Sequence, residues 1–338
     1  MKRAPSDKPP KRRSGKASIP PGDRKAGDRA ADAAKAFKSI WIDHPPQTRI
    51  VDELRRYVRE CEGYGGRPLI GCRLSEHSQA GKSATMAKLK AVLTEERIAL
   101  GLEPNEHQVT IIELDSQTSL KGAWQEVLQA LGDEYWDENV SAKVLERRIA
   151  KWVKDLGVDL LVIDEVQHLD RKTTDAKLVT DRLKVFLNRG IVPLVLVGDE
   201  MAEGFFTSNP KLRARLPRAL ELKPLDVTNK HKKADIRMFK RFCTELDEAV
   251  HALGFLDEKA GLDTNAMLSA LAEVSRGHVG RVARIVQAAF PEAVGRGADR
   301  IEAYDLSNVV RSYAIGNSWV SRDPFLGWDD RASREKAS

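Results

Sequence analysis

The sequence predicts an α/β protein in which a parallel sheet lies between helices, followed by an all-helical lid domain. Between about residues 45 and 225, short apolar runs rich in β-branched residues alternate with amphipathic segments of helical length. That alternation is typical of a parallel sheet with helices on its faces. After about residue 230, the apolar residues recur at helical spacing.

Charge and composition divide the chain into four predicted segments. The first 30 residues hold ten Lys or Arg and three Asp, which gives this segment a net charge of +7. The whole chain has a net charge of +6, so the remaining residues together carry a net charge of −1. We predict a disordered basic tail over 1–36, an α/β domain over 37–228, a helical lid over 229–315 and a flexible tail over 316–338.

The two predicted tails each leave two interpretations open. The basic tail can hold nucleic-acid phosphates, or it can be a solubilising arm. The C-terminal tail carries Trp319, Phe325 and Trp328. These aromatic residues form either a docking motif for a partner or a segment that packs on its own domain.

Composition argues against several classes of protein. No apolar run approaches the roughly 18 residues of a membrane span, and no apolar segment follows the basic N-terminus as in a secretory signal. The cysteines Cys61, Cys72 and Cys243 have the spacing of neither a disulfide framework nor a zinc site. We therefore expect a cytoplasmic protein without a membrane partner.

Each predicted strand is a short apolar run that a turn or a helix follows. The run within 158–169 is apolar throughout before two acids, as expected of a strand buried on both faces. The predicted strands span 67–74, 108–115, 158–169, 191–200 and 218–225. The predicted helices of the α/β domain span 50–61, 83–99, 119–132, 142–156 and 175–190, and those of the lid span 233–254, 265–277, 279–297 and 302–316.

The tripeptide Gly81-Lys82-Ser83 stands between the first predicted strand and the helix that follows it. In this setting it is typical of the end of a phosphate-binding loop, G-x-x-x-x-G-K-[ST]. Backbone N–H groups at the helix start would hold nucleotide phosphates, Lys82 would contact the β and γ oxygens, and Ser83 would bind Mg²⁺. The predicted loop residues are Ser78, Gln79, Ala80, Gly81, Lys82, Ser83 and Ala84.

A second, independent signal is the pair Asp164-Glu165 at the end of the buried run 160–163. A parallel strand delivers its last residue to the carboxyl edge of the sheet, where ligands bind. Asp164 is therefore placed to hold Mg²⁺ together with Ser83, and Glu165 to polarise the water that attacks the γ-phosphate. The two motifs, in this order, predict an ATP-binding, Mg²⁺-dependent ATPase.

Further polar residues are assigned from the elements that precede them. Asp199 lies at the end of the next predicted strand, so it is the candidate sensor of the γ-phosphate. Arg215 is the candidate arginine finger toward a neighbouring subunit, with Arg213 and Arg218 as rivals. Arg281, at the start of a lid helix, is a candidate phosphate contact. For each arginine, a solvated surface role is the alternative.

Together these residues resemble an AAA+ ATPase. The segments WIDHPPQTRIVDEL, SQAGKS, LLVIDEVQHL, VPLVLVGDE and NPKLRARL are similar, more closely, to transposition ATPases of the TniB/TnsC type, over about residues 38–315. The resemblance implies an ATP-dependent regulator of DNA transposition that forms a ring or helical filament on duplex DNA. It also implies that the protein recruits or activates a transposase, takes part in target-site selection with a target-selector protein, and is nucleoid-associated when on DNA.

Two other functions stay open. A helicase loader or replication initiator has similar core motifs, and a non-hydrolysing DNA-binding adaptor would use ATP only as a clamp. Glu76 favours the adaptor, because the related loops usually carry Gly at this position and an acid would weaken phosphate binding unless its side chain points away. Leu216 stands where relatives more often have an aromatic residue after the finger arginine.

The resemblance also indicates where DNA would bind. In AAA+ proteins that encircle DNA, contacts come from loops after the second strand and after the Asp-Glu strand. Here those loops contain Lys121 and, further on, Arg171, Lys172 and Thr173. Such side chains would grip phosphates without sequence preference, and simple solvation of loop charges is the alternative.

Overall fold

The computed structural model describes residues 21–328 except Tyr64, Gln117, residues 170–175 and Asn209. Its strands are β1 (Cys72–Ser75), β2 (Val109–Glu113), β3 (Leu160–Asp164), β4 (Leu194–Gly198) and β5 (Arg218–Leu220). They form a five-stranded sheet in the order β2-β3-β4-β1-β5, and every pair of neighbours is parallel. The predicted α/β class and parallel sheet are confirmed.

The α-helices of the described residues follow the predicted alternation. Those of the α/β region are α1 (Pro21–Phe37), α2 (Pro45–Cys61), α3 (Lys82–Ala99), α4 (Leu120–Ala130), α5 (Ala142–Leu156), α6 (Ala176–Asn188), α7 (Ala202–Ser208) and α8 (Pro210–Arg213). Those that follow the sheet are α9 (Lys233–Ala252), α10 (Asn265–Ser275), α11 (Val279–Gly295) and α12 (Ala303–Val309), and a π-helical turn continues α12 over Val310–Ala314. Within the described residues, no helix has the length and apolarity to cross a bilayer.

The strands are shorter than the apolar runs that predicted them. The run 158–169 yields only β3, because Glu165 takes a left-handed φ of +58° and Val166–His168 then form a 3₁₀ turn. The run 218–225 yields only β5, because the backbone N–H of Leu222 donates to a side chain of the phosphate loop instead of to a strand.

The middle of the sheet, β3 and β4, is buried at every residue. Alternate side chains of these strands enter two apolar layers, as the period-two geometry of a strand requires. One layer contains α2 and α3, and the other contains α4, α5 and α6. Tyr57 ties α2 to the sheet, because its hydroxyl donates to the carbonyl of Ile70 at 2.6 Å and accepts from the N–H of Leu194 at 3.1 Å.

The disorder predicted for residues 1–36 is wrong for residues 21–36, which form most of α1. One face of α1 packs against α11 and buries Ala33 completely and Phe37 almost completely. The rings of Phe37 and Phe290 lie 6.2 Å apart. This apolar face outweighs a composition that otherwise favours disorder. Residues 1–20 lie outside the described residues.

The flexibility predicted for residues 316–338 is wrong for residues 316–328. Trp319 and Phe325 are buried in the same apolar cluster as the helices that follow the sheet, and Trp328 packs against that cluster. These aromatic residues were interpreted either as a docking motif or as a segment that packs on its own domain, and in the structure they pack on the chain's own helices. Residues 329–338 lie outside the described part of the chain.

We predict that Ala33→Asp lowers the free energy of unfolding by about 2–4 kcal/mol, because it puts an unpaired charge into the interface between α1 and α11. Ala31→Asp is the matched control on the same helix, since Ala31 is exposed and its change should stay within about 0.5 kcal/mol. Urea denaturation of the two variants measures both values. Equal effects at the two positions would contradict a docked α1.

Candidate functional site

The phosphate loop predicted from the sequence connects β1 to α3. Gly81, with φ of +101°, precedes the helix, and α3 begins at Lys82. Gln79 also has a left-handed backbone, with φ of +63°. The Lys82 Nζ atom turns back into the loop and donates to the carbonyl oxygens of Glu76 at 2.7 Å and His77 at 3.1 Å. The loop thus holds its cation at the start of a helix, where the backbone N–H groups also attract anions.

Lys82 is buried and surrounded by acids. Burial lowers the pKa of its amine, and the negative charges of Asp164, Glu165, Asp199 and Glu200 oppose that shift. These acids come from the ends of β3 and β4, so the strand order brings them to one edge of the sheet. The result is a buried cation that faces a group of carboxylates.

The Ser83 hydroxyl and the Asp164 carboxylate form a hydrogen bond, and their predicted role in holding Mg²⁺ stays a prediction. Ser83 Oγ donates to Asp164 Oδ2 at 3.0 Å, and the backbone N–H of Glu165 donates to Asp164 Oδ1 at 2.8 Å. The two side chains could hold one divalent cation, because hydroxyl and carboxylate oxygens are ligands that Mg²⁺ prefers. No cluster of three or more His, Cys, Asp or Glu in the described residues could hold a metal by itself.

Gln167, which the sequence analysis missed, connects the acids of the two central strands. Its amide nitrogen donates to the Glu165 carboxylate, and its amide oxygen accepts from the backbone N–H of Asp199 at 3.1 Å. The Asp199 carboxylate in turn accepts from the N–H of Met201 at 2.9 Å. Asp199 therefore directly follows β4, is linked to Glu165 through Gln167, and lies within electrostatic reach of Lys82.

Glu76 does not point into the loop. Its Oε1 atom accepts from the backbone N–H of Leu222 at 3.0 Å, beyond the end of β5. Glu76 is also absent from the residues of positive φ, so the tight turn that favours glycine lies elsewhere, at Gln79 and Gly81. The condition under which an acid is tolerated at this position, a side chain directed away from the phosphates, is therefore met.

The helix α11 lies directly against the loop. A Cβ added at Gly280 would come within 2.3 Å of the Gln79 carbonyl oxygen and 2.9 Å of the Gly81 nitrogen. Next to this contact, the rings of His77 and His278 lie 5.4 Å apart. Burial, with the charge of Arg281, lowers the pKa of His278 to about 4, so its imidazole is neutral at pH 7.

Arg281 lies on the first turn of α11 but packs on the C-terminal segment. Its guanidinium lies over the ring of Trp319, 5.1 Å from the centroid, and burial lowers its pKa. Its Nε atom is buried and has no hydrogen-bond partner among the described residues. A direct approach of Arg281 to the phosphates stays a prediction.

Of the three finger candidates, Arg218 has partners within its own chain. It forms an ion pair with Glu60, and its guanidinium lies over the ring of Tyr57, 5.2 Å from the centroid. These contacts hold β5 to α2. Arg218 is therefore unsuited to reach a neighbouring subunit.

Arg213 and Arg215 remain the candidates for that role. Arg213 is exposed and Arg215 is half-buried, and neither forms an ion pair or a side-chain hydrogen bond within the described residues. Leu216, where an aromatic residue was expected, is fully buried. A Cβ on Gly71 would lie 2.7 Å from the Leu216 side chain, so there is little space for a larger group.

The predicted DNA contacts fall mostly outside the described residues. Arg171, Lys172 and Thr173 lie there, and the structure gives no account of them. Lys121 is described at the start of α4, and its amine donates to the Asn139 side chain. A DNA-binding role for these four residues stays a prediction.

An apolar cavity next to the loop was not predicted. It lies between the segment before α2, the first turn of α3, and helices α9 and α11. The sequence carried a signal for it, since the Trp-Ile pair before α2 and the His-Pro pair at its start form a distinctive segment, but nothing assigned them a role. The cavity is lined by Phe37, Ile40, Trp41, Ile42, Gln47, Gly81, Ala84, Phe242, Leu246, Val279, Gly280 and Ala283.

Comparisons with known proteins place the fold. Residues 77–206 match the family described as an AAA domain, and no curated protein gives a significant match to the sequence. The fold is that of an AAA+ P-loop NTPase, with a helix-rich region after the sheet, and this fold implies nucleotide binding.

Solved structures of low sequence identity share this fold. Cdc6p from Pyrobaculum aerophilum is 14% identical with a TM-score of 0.59, over 82% of this chain and 70% of that one. The Aeropyrum pernix ORC1 protein in complex with DNA is 16% identical with a TM-score of 0.55, over 80% and 66%. Domain III of the Thermotoga maritima replication initiation protein DnaA is 13% identical with a TM-score of 0.50, over 82% and 96%.

We predict that Glu76→Gln changes stability little, because the amide oxygen can still accept from the N–H of Leu222. Glu76→Ala leaves that buried N–H unpaired and should lower the free energy of unfolding by about 1–3 kcal/mol. Urea denaturation measures both. Nucleotide affinity of Glu76→Gln should stay within about twofold of the parent, and a tenfold gain would mean that the carboxylate repels the phosphates.

Proposed function

We propose that this protein binds ATP at the loop before α3, hydrolyses it, and uses the nucleotide state to control its assembly on duplex DNA as a regulator of transposition. The observation that carries the proposal is the meeting of Lys82, Ser83 and Asp164 at one edge of the sheet, with Glu165 adjacent. A cation, a hydroxyl and two carboxylates at a helix N-terminus suit a triphosphate better than an uncharged ligand.

The phosphates would take over the contacts that Lys82 now makes with its own loop. Its amine is held by two neutral carbonyl oxygens at 2.7 and 3.1 Å. Charge-assisted bonds to phosphate oxygens are stronger than bonds to carbonyls. The N–H groups from Ala80 to Ala84 would hold the same oxygens, with Ser78 and Gln79 shaping the turn.

Mg²⁺ would be held between the loop and β3, by Ser83 and Asp164. Ser83 and Asp164 supply two oxygens 3.0 Å apart, and Mg²⁺ in such sites takes its remaining ligands from phosphates and water. When bound, Mg²⁺ would neutralise part of the charge on the β- and γ-phosphates.

Glu165 is the residue proposed to orient and deprotonate the attacking water. Gln167 holds its carboxylate and also the N–H of Asp199. Through this amide, the position of the carboxylate depends on the end of β4. Arg215 would complete the site of a neighbouring subunit in a homo-oligomer, because a half-buried arginine without a partner in the described residues is free to do so.

The apolar cavity is the proposed place of the base. Gly81 and Ala84 line it, and Lys82 and Ser83 stand between them in sequence, so one turn of α3 would contact both base and phosphates. Apolar walls formed by Ile42, Phe242 and Val279 suit a planar aromatic ring.

Contact with DNA is supported by a basic face on α9 and the loop before it. We define it by Lys230, Lys232, Lys233, Arg237 and Lys240, which are all exposed and form no ion pair within the described residues. On α9, the last three follow one another at helical spacing and so share a face. Exposed cations without acidic partners are suited to phosphate contacts.

The surroundings of this face distinguish it from other basic surfaces. The segment 229–241 contains six Lys or Arg and one acid. By contrast, α5 also carries exposed Lys143, Arg147 and Lys151, but the segment 133–155 has six acids against five cations. Long-range attraction of a polyanion therefore favours α9.

The transposition role is proposed from the sequence segments described above, with a transposase and a target-selector protein as partners. Replication initiation is the second candidate, since the structural neighbours include a replication initiation protein and an ORC1 protein in complex with DNA. Affinity purification from cells that carry the gene separates the two. A transposase would support the first role, and a replicative helicase without a transposase would support the second.

We predict that Lys82→Ala abolishes ATP binding, while Glu165→Gln retains ATP and loses turnover by at least about 100-fold. Lys90→Ala is the control, because Lys90 lies on the same helix and, among the residues that the structure describes, donates to the Glu106 carbonyl alone. Equilibrium binding and phosphate release measure the two effects. Normal binding by Lys82→Ala would refute the nucleotide site, and binding without turnover in the parent would establish the adaptor.

We predict that replacing Lys233, Arg237 and Lys240 by alanine weakens duplex DNA binding. The slope of log K against log salt should become shallower by about 2–3, since each phosphate contact contributes about 0.9. The matched control replaces Lys143, Arg147 and Lys151, with the same change of charge. An equal loss in both triple variants would mean that net charge alone, and not the basic face, controls DNA binding.

A further inference from the structure

The apolar cavity beside the phosphate loop contains one polar side chain that its neighbours leave partly unused. Two of its lining residues carry polar side-chain atoms, Trp41 and Gln47. The indole N–H of Trp41 already donates to the Asp43 carboxylate at 3.0 Å. Gln47 is 95% buried, with 5% of its surface exposed, so the way its amide is used decides what the cavity can recognise.

The chemistry of its partners determines the orientation of the Gln47 amide. Nε2 lies 3.2 Å from the carbonyl oxygen of Gly81 and 3.0 Å from Thr85 Oγ1. A carbonyl oxygen can only accept, so the nitrogen must face Gly81. Thr85 Oγ1 donates its proton to the same carbonyl at 2.8 Å, and its lone pairs are therefore free to accept from Gln47.

Both N–H groups of the amide are thus used within the protein. Oε1 accepts no hydrogen bond from any described residue. The atom is not fully buried, so a ligand can reach it. What Gln47 can offer a ligand is a hydrogen-bond acceptor alone. Because Nε2 is held by two partners, turning the amide over would cost both bonds.

We propose that Gln47 selects the base of the nucleotide, by accepting a hydrogen bond at Oε1 from the exocyclic amino group of adenine. This inference rests on the proposed ATP site. Adenine carries an amino donor at its 6-position, and guanine carries a keto acceptor there. Guanine would place two acceptors against each other in a buried cavity and leave both unpaired, which is the arrangement that discriminates most strongly between ligands.

The same side chain also supports the phosphate loop. Gln47 Nε2 donates to the carbonyl of Gly81, the residue immediately before Lys82. The contact is close, because a Cβ on Gly81 would lie 2.8 Å from Nε2. One amide would therefore both contact the base and hold the loop in position. A test must separate a lost contact with the base from a loosened loop.

The test compares three nucleotides on the full chain and needs no mutation for its first arm. Competition against a fluorescent ATP analogue measures the affinities of ATP, GTP and purine riboside triphosphate, which lacks the 6-amino group. We expect ATP to bind about tenfold more tightly than purine riboside triphosphate and about 100-fold more tightly than GTP. A ratio of ATP to purine riboside triphosphate within twofold would overturn the proposal.

The second arm uses Gln47→Met, a side chain of similar size without an acceptor, and Thr85→Val. In Gln47→Met, ATP and purine riboside triphosphate should bind equally. In Thr85→Val, the loop loses a contact but Oε1 is kept, so the tenfold ratio should persist. A ratio that survives in Gln47→Met would assign the amino group to another partner and overturn the proposal.

Failure of this inference is distinguishable from failure of the ATP site. Triphosphates that bind with no preference for the base would sink the role of Gln47 and leave the phosphate site intact. No binding of any triphosphate would refute the proposed function itself. If Gln47→Met does not fold, the affinities of the parent for the three nucleotides still decide.

Discussion

The contact between α11 and the phosphate loop is the constraint on which the rest of the site depends. No Cβ fits at Gly280, because it would lie 2.3 Å from the Gln79 carbonyl oxygen. Helix α11 therefore touches the loop backbone itself, and its residues Val279 and Ala283 form one wall of the apolar cavity. The same helix packs against α1, through the contact between the rings of Phe290 and Phe37. The phosphate loop, α11 and α1 are thus in contact one after another.

Electrostatics at the sheet edge follow from strand order. Because β4 lies between β3 and β1, the acids after β3 and β4 face the loop from one side. Lys82 is buried among them, and its own hydrogen bonds go to neutral carbonyls. Gln167 then links Glu165 to the backbone of Asp199. A movement of the end of β4 would therefore shift the Glu165 carboxylate through the Gln167 amide, and the phosphate loop need not move.

Much of the fold and the acidic edge of the site could be predicted from sequence, because local signals encode them. The Gly81-Lys82-Ser83 tripeptide and the buried run before Asp164 each combine a motif with the element that positions it. Features that depend on distant residues were missed. Gln47 contacts Gly81 across 34 positions, and Glu76 reaches Leu222 across 146. The helix α1 escaped prediction because its partner, α11, lies in another part of the chain.

The segments 21–37 and 319–328 share a structural consequence. Both pack on the apolar cluster that contains α11, and Trp319 also covers the guanidinium of Arg281 on the first turn of that helix. Unfolding of either segment would therefore expose the apolar side of the helix that lies against the loop.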